Sequence, residues 1–142
     1  MTEGIRELSA EAIVRLGGWH PGYARVRLIA QDDHHAVVLV DGNGDDSELE
    51  LEYWHRDQDG LWYGGSSSGY GSLATMRTQT WTAGDFVAAL GRAEPGSEIT
   101  IEFGGRTHRR LANKSGAWGF VHTTGSGECA ELPVVAAVRP PP

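Results

Sequence analysis

The chain has 142 residues, 39% hydrophobic and 22% charged, with a formal net charge of −7. That composition excludes a disordered or fibrous chain, and the length excludes a mini-protein that needs disulfides to hold its core. The negative charge disfavours nucleic acid and anionic membrane as partners of the chain as a whole.

The charge is unevenly placed. Residues 1–60 hold thirteen acids against five arginines, a net −8, whereas residues 61–142 hold six acids and seven bases, a net +1. Twenty glycines without a fixed period mark turns, and many turns imply many short strands. Cys129 is the single cysteine, so no disulfide can form within the chain. The opening segment carries Glu3, Glu7 and Glu11 and does not read as a signal peptide. No apolar run reaches the roughly 18 residues of a membrane span. A cytoplasmic protein is expected. Lys114 is the only lysine among twelve basic residues, a codon bias that suggests a bacterial source.

In chain order, Ser9 is a good N-cap for a short helix. Leu8 and Ile13 are placed for a hydrophobic staple, and Gly17-Gly18 stop the helix. Pro21-Gly22 then breaks the chain. Residues 24–30 alternate, placing Val26, Leu28 and Ala30 on one face and Arg25 and Arg27 on the other, as in a half-buried strand. Residues 36–40, AVVLV, read as a central strand covered on both faces. Residues 48–54 alternate again, with Leu49, Leu51 and Tyr53 inward and Glu48, Glu50 and Glu52 outward. The turn at 57–60 folds residues 61–63 back as the next strand. Residues 64–80 lose all pattern and read as a long Gly/Ser-rich loop. Further strands are expected at 86–92, 98–103, 106–111, 117–122 and 133–139, followed by a proline tail at 139–142. A plain two-residue turn at Gly104-Gly105 would pair Ile101 with His108 and Phe103 with Arg106. That puts bases on an apolar face, so a bulge or a longer loop is expected there.

Eight to nine short strands predict a single all-β domain over 1–142, an antiparallel β-sandwich that is immunoglobulin-like only in the loosest sense. A closed β-barrel is the alternative.

The stretch GGSSSGYGS, residues 64–72, matches two motifs. Gly65-x-Ser67-x-Gly69 fits a nucleophile elbow, with Asp85 and then His108 or His122 following in the usual order. Gly69-x-Gly71-x-x-Ala74 fits a dinucleotide fingerprint. Both motifs need a helix after the glycines, and none is signalled. Ser67, Asp85 and His108 therefore form only an alternative, a small serine hydrolase, beside the reading of a non-catalytic loop. Tyr70, at its centre, is a natural contact residue for a partner.

Asp41, Asn43 and Asp45 fall at positions 1, 3 and 5 of a calcium loop, and Glu52 at position 12. Position 6 is Asp46 rather than the glycine the turn requires. A polar hairpin turn is the plainer reading, with calcium as the only cofactor worth testing. No pair among His20, His34, His35, His55, His108 and His122 has the helical spacing of a zinc enzyme, although His108 and His122 could meet across strands. Arg106, Arg109 and Arg110 could clamp a carboxylate or phosphate. Trp54 shares the face of the glutamates. If exposed it could stack on a sugar; otherwise it packs under a crossing loop or the N-terminal helix.

No catalytic motif stands in its required context. The expectation is a non-enzymatic module that binds a protein partner through loops and a charged sheet face. A serine hydrolase and a calcium- or carbohydrate-binding domain are the alternatives. Nucleic acid and membrane are not expected partners, and the sequence does not specify a small-molecule ligand.

Overall fold

The computed structural model describes residues 3–125 and 131–142, so Cys129 lies outside the described residues. Among these residues the chain is all-β, with three antiparallel sheets, one short helix and no closed barrel. It divides into two compact units, Met1–Met76 and Arg77–Pro142. The division follows the charge, because residues 61–76 contain neither acids nor bases. The first unit therefore carries −8 and the second +1.

The first unit opens with helix α1, Ala10–Leu16. The Ser9 hydroxyl accepts the Ala12 N–H at 3.2 Å, as an N-cap should. Ser9→Ala is expected to cost about 1 kcal/mol of stability, read from a urea melt. Four strands follow as a meander: β1 (Arg25–Gln31), β2 (His35–Asp41), β3 (Leu49–Arg56) and β4 (Trp62–Gly71). Helix α1 covers one face of this sheet. Ile13 joins Val38, Val40, Trp54 and Trp62 in a buried cluster, and Leu8 packs against it. Strand β2 is buried on both faces, as its unbroken apolar run implies.

Two expectations for this unit fail, one through a β-bulge and one through strand pairing. Strand β1 shifts register between Val26 and Leu28. The extra residue, Arg27, reverses the alternation. Val26 and Ile29 pack toward the helix-side cluster, while Leu28 and Ala30 are buried on the opposite face. The predicted loop at 64–80 is also corrected. Residues 64–71 belong to β4, a ten-residue edge strand paired along β3 with register shifts at two places. Glycine and serine have little intrinsic strand preference, and cross-strand pairing overrides it here. Gln79–Thr82 forms a further strand, β5. Its β-branched and aromatic residues, Thr80, Trp81 and Thr82, were a usable signal.

The second unit is a sandwich. One sheet has the order β5-β6-β9, with β6 Phe86–Arg92 and β9 Ala117–Thr123. The other has the order β10-β7-β8, with β7 Glu98–Phe103, β8 Arg106–Leu111 and β10 Val134–Arg139. Val87, Ala89, Ile99, Ile101, Phe103, Trp118 and Phe120 form its core, drawn from both sheets. The β7–β8 hairpin closes without a bulge. Gly104 and Gly105 both take positive φ, 64° and 73°, the conformation of a two-residue I′ turn. The pairing is Ile101 to His108 and Phe103 to Arg106. The bases do fall on the apolar face. An edge strand can tolerate this, because its inner side opens at the rim of the sandwich.

Candidate functional site

A cavity of about 500 Å³ opens on the helix-covered side of the first unit. Glu52, Trp54, Gly64, Gly65 and Ser67 line it from β3 and β4. Leu16 and Gly17 line it from the end of α1, and Glu3 completes it. Glu52, one of its lining residues, is only 9% exposed. One carboxylate oxygen accepts the Trp19 indole N–H at 3.0 Å, and the other accepts the Trp54 indole N–H at 3.1 Å. Each oxygen keeps a second lone pair. Glu3 is already paired with Arg15 at 3.1 Å, which leaves Glu52 as the carboxylate a ligand would meet.

Local structure places these groups for simple reasons. Register sets Glu52 opposite Ser67 and Trp54 opposite Gly64. Small residues on β4 leave room over the indole of Trp54, whose ring lies 3.3 Å from where a Cβ on Gly64 would stand. Trp19 arrives from the turn after α1 and packs over Gly42. The expected outward face of β3 is thus partly covered, and Glu52 is a buried acceptor rather than a solvated acid. Trp54 is 4% exposed and sits under the helix, so it offers no exposed stacking platform for a sugar.

The other sequence candidates separate. Ser67 lies mid-strand in the first unit, with no helix after it, so neither the elbow nor the dinucleotide turn exists. Asp85 and His108 lie in the second unit and make no hydrogen bond to each other; the His108 Nε2 is buried without a partner. Tyr70 is a half-buried strand residue, not a loop tip. Its hydroxyl is enclosed without a partner, and burial, then the neighbouring Tyr53, push its pKa up.

The acidic turn after β2 is organised by Asp41. The Asp41 carboxylate is fully buried and meets the Arg27 guanidinium at 3.0 Å, with the Gly44 and Asp46 N–H groups at 2.9 and 2.8 Å. The cation of this turn is an arginine. Asp45 accepts instead from the Ser47 hydroxyl and N–H, and Asn43 is exposed. Among the described residues no group of three or more His, Cys, Asp or Glu side chains is placed to hold a metal ion.

The three arginines of β8 part by alternation. Arg109 faces outward toward Glu98 at 3.7 Å, which Arg139 also holds at 3.0 Å. Arg106 is exposed beside the hairpin turn and lines a separate cleft with Glu102 and Glu131. Arg110 turns inward over the Phe120 ring.

Sequence reasoning missed the Trp19–Glu52–Trp54 arrangement. Nothing local marks Trp19 as a partner of a residue 33 positions away. Comparison of the chain with protein-family models, curated proteins and solved structures finds no match. No helix among the described residues is long and apolar enough to cross a membrane.

Proposed function

We propose that the protein is a non-enzymatic binding module of the bacterial cytoplasm. In this reading the first unit recognises a basic side chain of a protein partner through Glu52. The observation that carries it is a carboxylate held by two indole N–H groups in the wall of a cavity, on the unit that holds the chain's negative charge. Two fixed donors orient the carboxylate before any ligand arrives, which lowers the ordering cost of binding. The remaining lone pairs suit an ammonium or a guanidinium, and the edge of an indole supplies an apolar wall for its stem. The C-terminal end of α1 adds negative potential of the same sense. The surrounding charge of −8 would steer a basic partner and make association salt-dependent.

The test follows the indole N–H signals of the five tryptophans while N-acetyl-arginine amide and a short oligo-arginine peptide are added. Saturable movement of the Trp19 and Trp54 signals is expected, with affinity falling as salt rises. Glu52→Gln should weaken peptide binding tenfold or more, since a charge-assisted bond is worth roughly 1.5–3 kcal/mol. Absence of saturable movement, or an unchanged affinity in a folded Glu52→Gln variant, would overturn the reading.

A further inference from the structure

The bulge-free β7–β8 hairpin has a chemical consequence in the second unit. Register commits Arg106, His108 and Arg110 to the inner side of β8, opposite Phe103, Ile101 and Ile99. Strand β8 is the edge of its sheet, and β9 is the edge of the other. On β9, His122 follows Trp118 and Phe120 at alternate positions and so shares their inward face. The two edges therefore bring distant residues together at one mouth of the sandwich. The His108 ring lies 4.9 Å from Phe120 and 6.0 Å from His122, centre to centre. The Arg110 guanidinium carbon stands 5.1 Å from the centre of the Phe120 ring. Phe103 closes the group, 5.4 Å from His122.

Among the described residues, no carboxylate lies within 4.0 Å of Arg110, His108 or His122. The nearby acid Glu98 is held by Arg109 and Arg139, to which Arg110 is not joined. Arg110 gives one N–H to the Arg109 carbonyl at 2.8 Å. Among the described residues its other guanidinium donors make no hydrogen bond and remain for a ligand. Burial alone pushes its pKa down, the mark of a cation that has lost water without gaining an acid. The His108 Nε2 is a buried polar atom without a hydrogen-bond partner.

A half-buried arginine and two imidazoles around an aromatic ring, with no carboxylate partner among the described residues, match one ligand chemistry. We infer that the β8–β9 mouth binds a small oxyanion, a phosphate or a carboxylate. Arg110 is the principal donor, the two imidazoles flank it, and the Phe120 ring supports the guanidinium. The alternative ligand for two histidines, a divalent metal ion, is disfavoured by the adjacent Arg110 charge. The site lies wholly in the second unit and does not depend on the reading of Glu52.

The experiment follows the ring C2–H signals of all six histidines by NMR at fixed pH and ionic strength. Inorganic phosphate is added in one arm, benzoate in a second and chloride in a third. Saturable movement confined to His108 and His122 is expected with phosphate, benzoate or both, and none with chloride. The tighter of the two arms identifies the anion class. Arg110→Gln should weaken that binding about tenfold or more, and Arg110→Lys, which keeps charge but loses the fork, should fall between. The wild-type titration stands even if a variant fails to fold. No saturable movement with either oxyanion, movement equal to that with chloride, or wild-type affinity in a folded Arg110→Gln protein would overturn the inference.

Discussion

Trp118→Ala is expected to destabilise the second unit by about 3–5 kcal/mol, the cost of emptying a large core site. Trp118 is 1% exposed and lies in the core cluster between the two sheets. Its ring lies over Gly91, its cross-strand partner on β6. A Cβ built on Gly91 would stand 2.6 Å from Trp118 Cε2 and 2.7 Å from its Nε1. Glycine at 91 is therefore a packing requirement set by the indole, not a turn signal. Gly91→Ala should cost about 1–3 kcal/mol by overpacking. The two effects are coupled. In a Trp118→Leu background, Gly91→Ala should cost far less, so the double-mutant cycle should depart clearly from additivity. Urea unfolding with circular dichroism measures all four proteins. A neutral Gly91→Ala in the wild-type background would show that the ring moves aside. A unit of 66 residues has little stability to spare, so Trp118→Ala is expected to leave it largely unfolded near room temperature.

Asp41→Ala is expected to cost the first unit about 2–4 kcal/mol, because it takes the buried acceptor from the Gly44 and Asp46 N–H groups and leaves Arg27 with Asp46, at 2.7 Å, as its remaining carboxylate. Asp41→Asn, which keeps an acceptor, should cost less. The same group governs acid sensitivity. Burial pushes the Asp41 pKa up, but the Asp46 N–H, the Arg27 guanidinium and the Gly44 N–H together hold it below the ordinary carboxylate range. A depressed folded-state pKa contributes stability that is complete above the unfolded value, near 3.9, and is lost as pH falls through the folded value. The stability gap between wild type and Asp41→Asn should therefore be widest near neutrality and close below about pH 4. Chemical denaturation at a series of pH values reads this directly. A gap that stayed constant down to the acid transition would remove Asp41 from the acid response. Asp45 and Asp59 are also held low, by the Ser47 and Tyr63 hydroxyls respectively, and share the direction of the effect from exposed positions.

Most strands were legible because burial imposes a period. The unbroken AVVLV run marked a strand covered on both faces, and alternation in ELELEYW marked its neighbour. The cap at Ser9 was legible because it needs a particular residue type at a particular backbone geometry, whereas the turn at Gly104-Gly105 closes as the plain two-residue turn that the bases on its apolar face had argued against. Where the reading failed, a one-residue event or a pairing partner decided the outcome. A bulge at Arg27 moved Leu28 and Ala30 to the other face, and no local preference marks a bulge. GGSSSGYG became a strand only because β3 presents a ladder for it.

The candidate sites divide the same way. Sequence alone determined an all-β chain, a charge split between its halves and the residue types available for recognition. It singled out Arg110 and His108 as chemically able, but also Ser67, Asp41 and Tyr70, which the fold assigns to a strand, a buried turn and an enclosed hydroxyl. Tertiary structure decided which of those groups meet. Glu52 and Trp19 are 33 positions apart, and Arg110 and Phe120 lie on different sheets. Their juxtaposition depends on strand pairing and sheet packing between distant segments. Local periodicity carries no information about those long-range contacts.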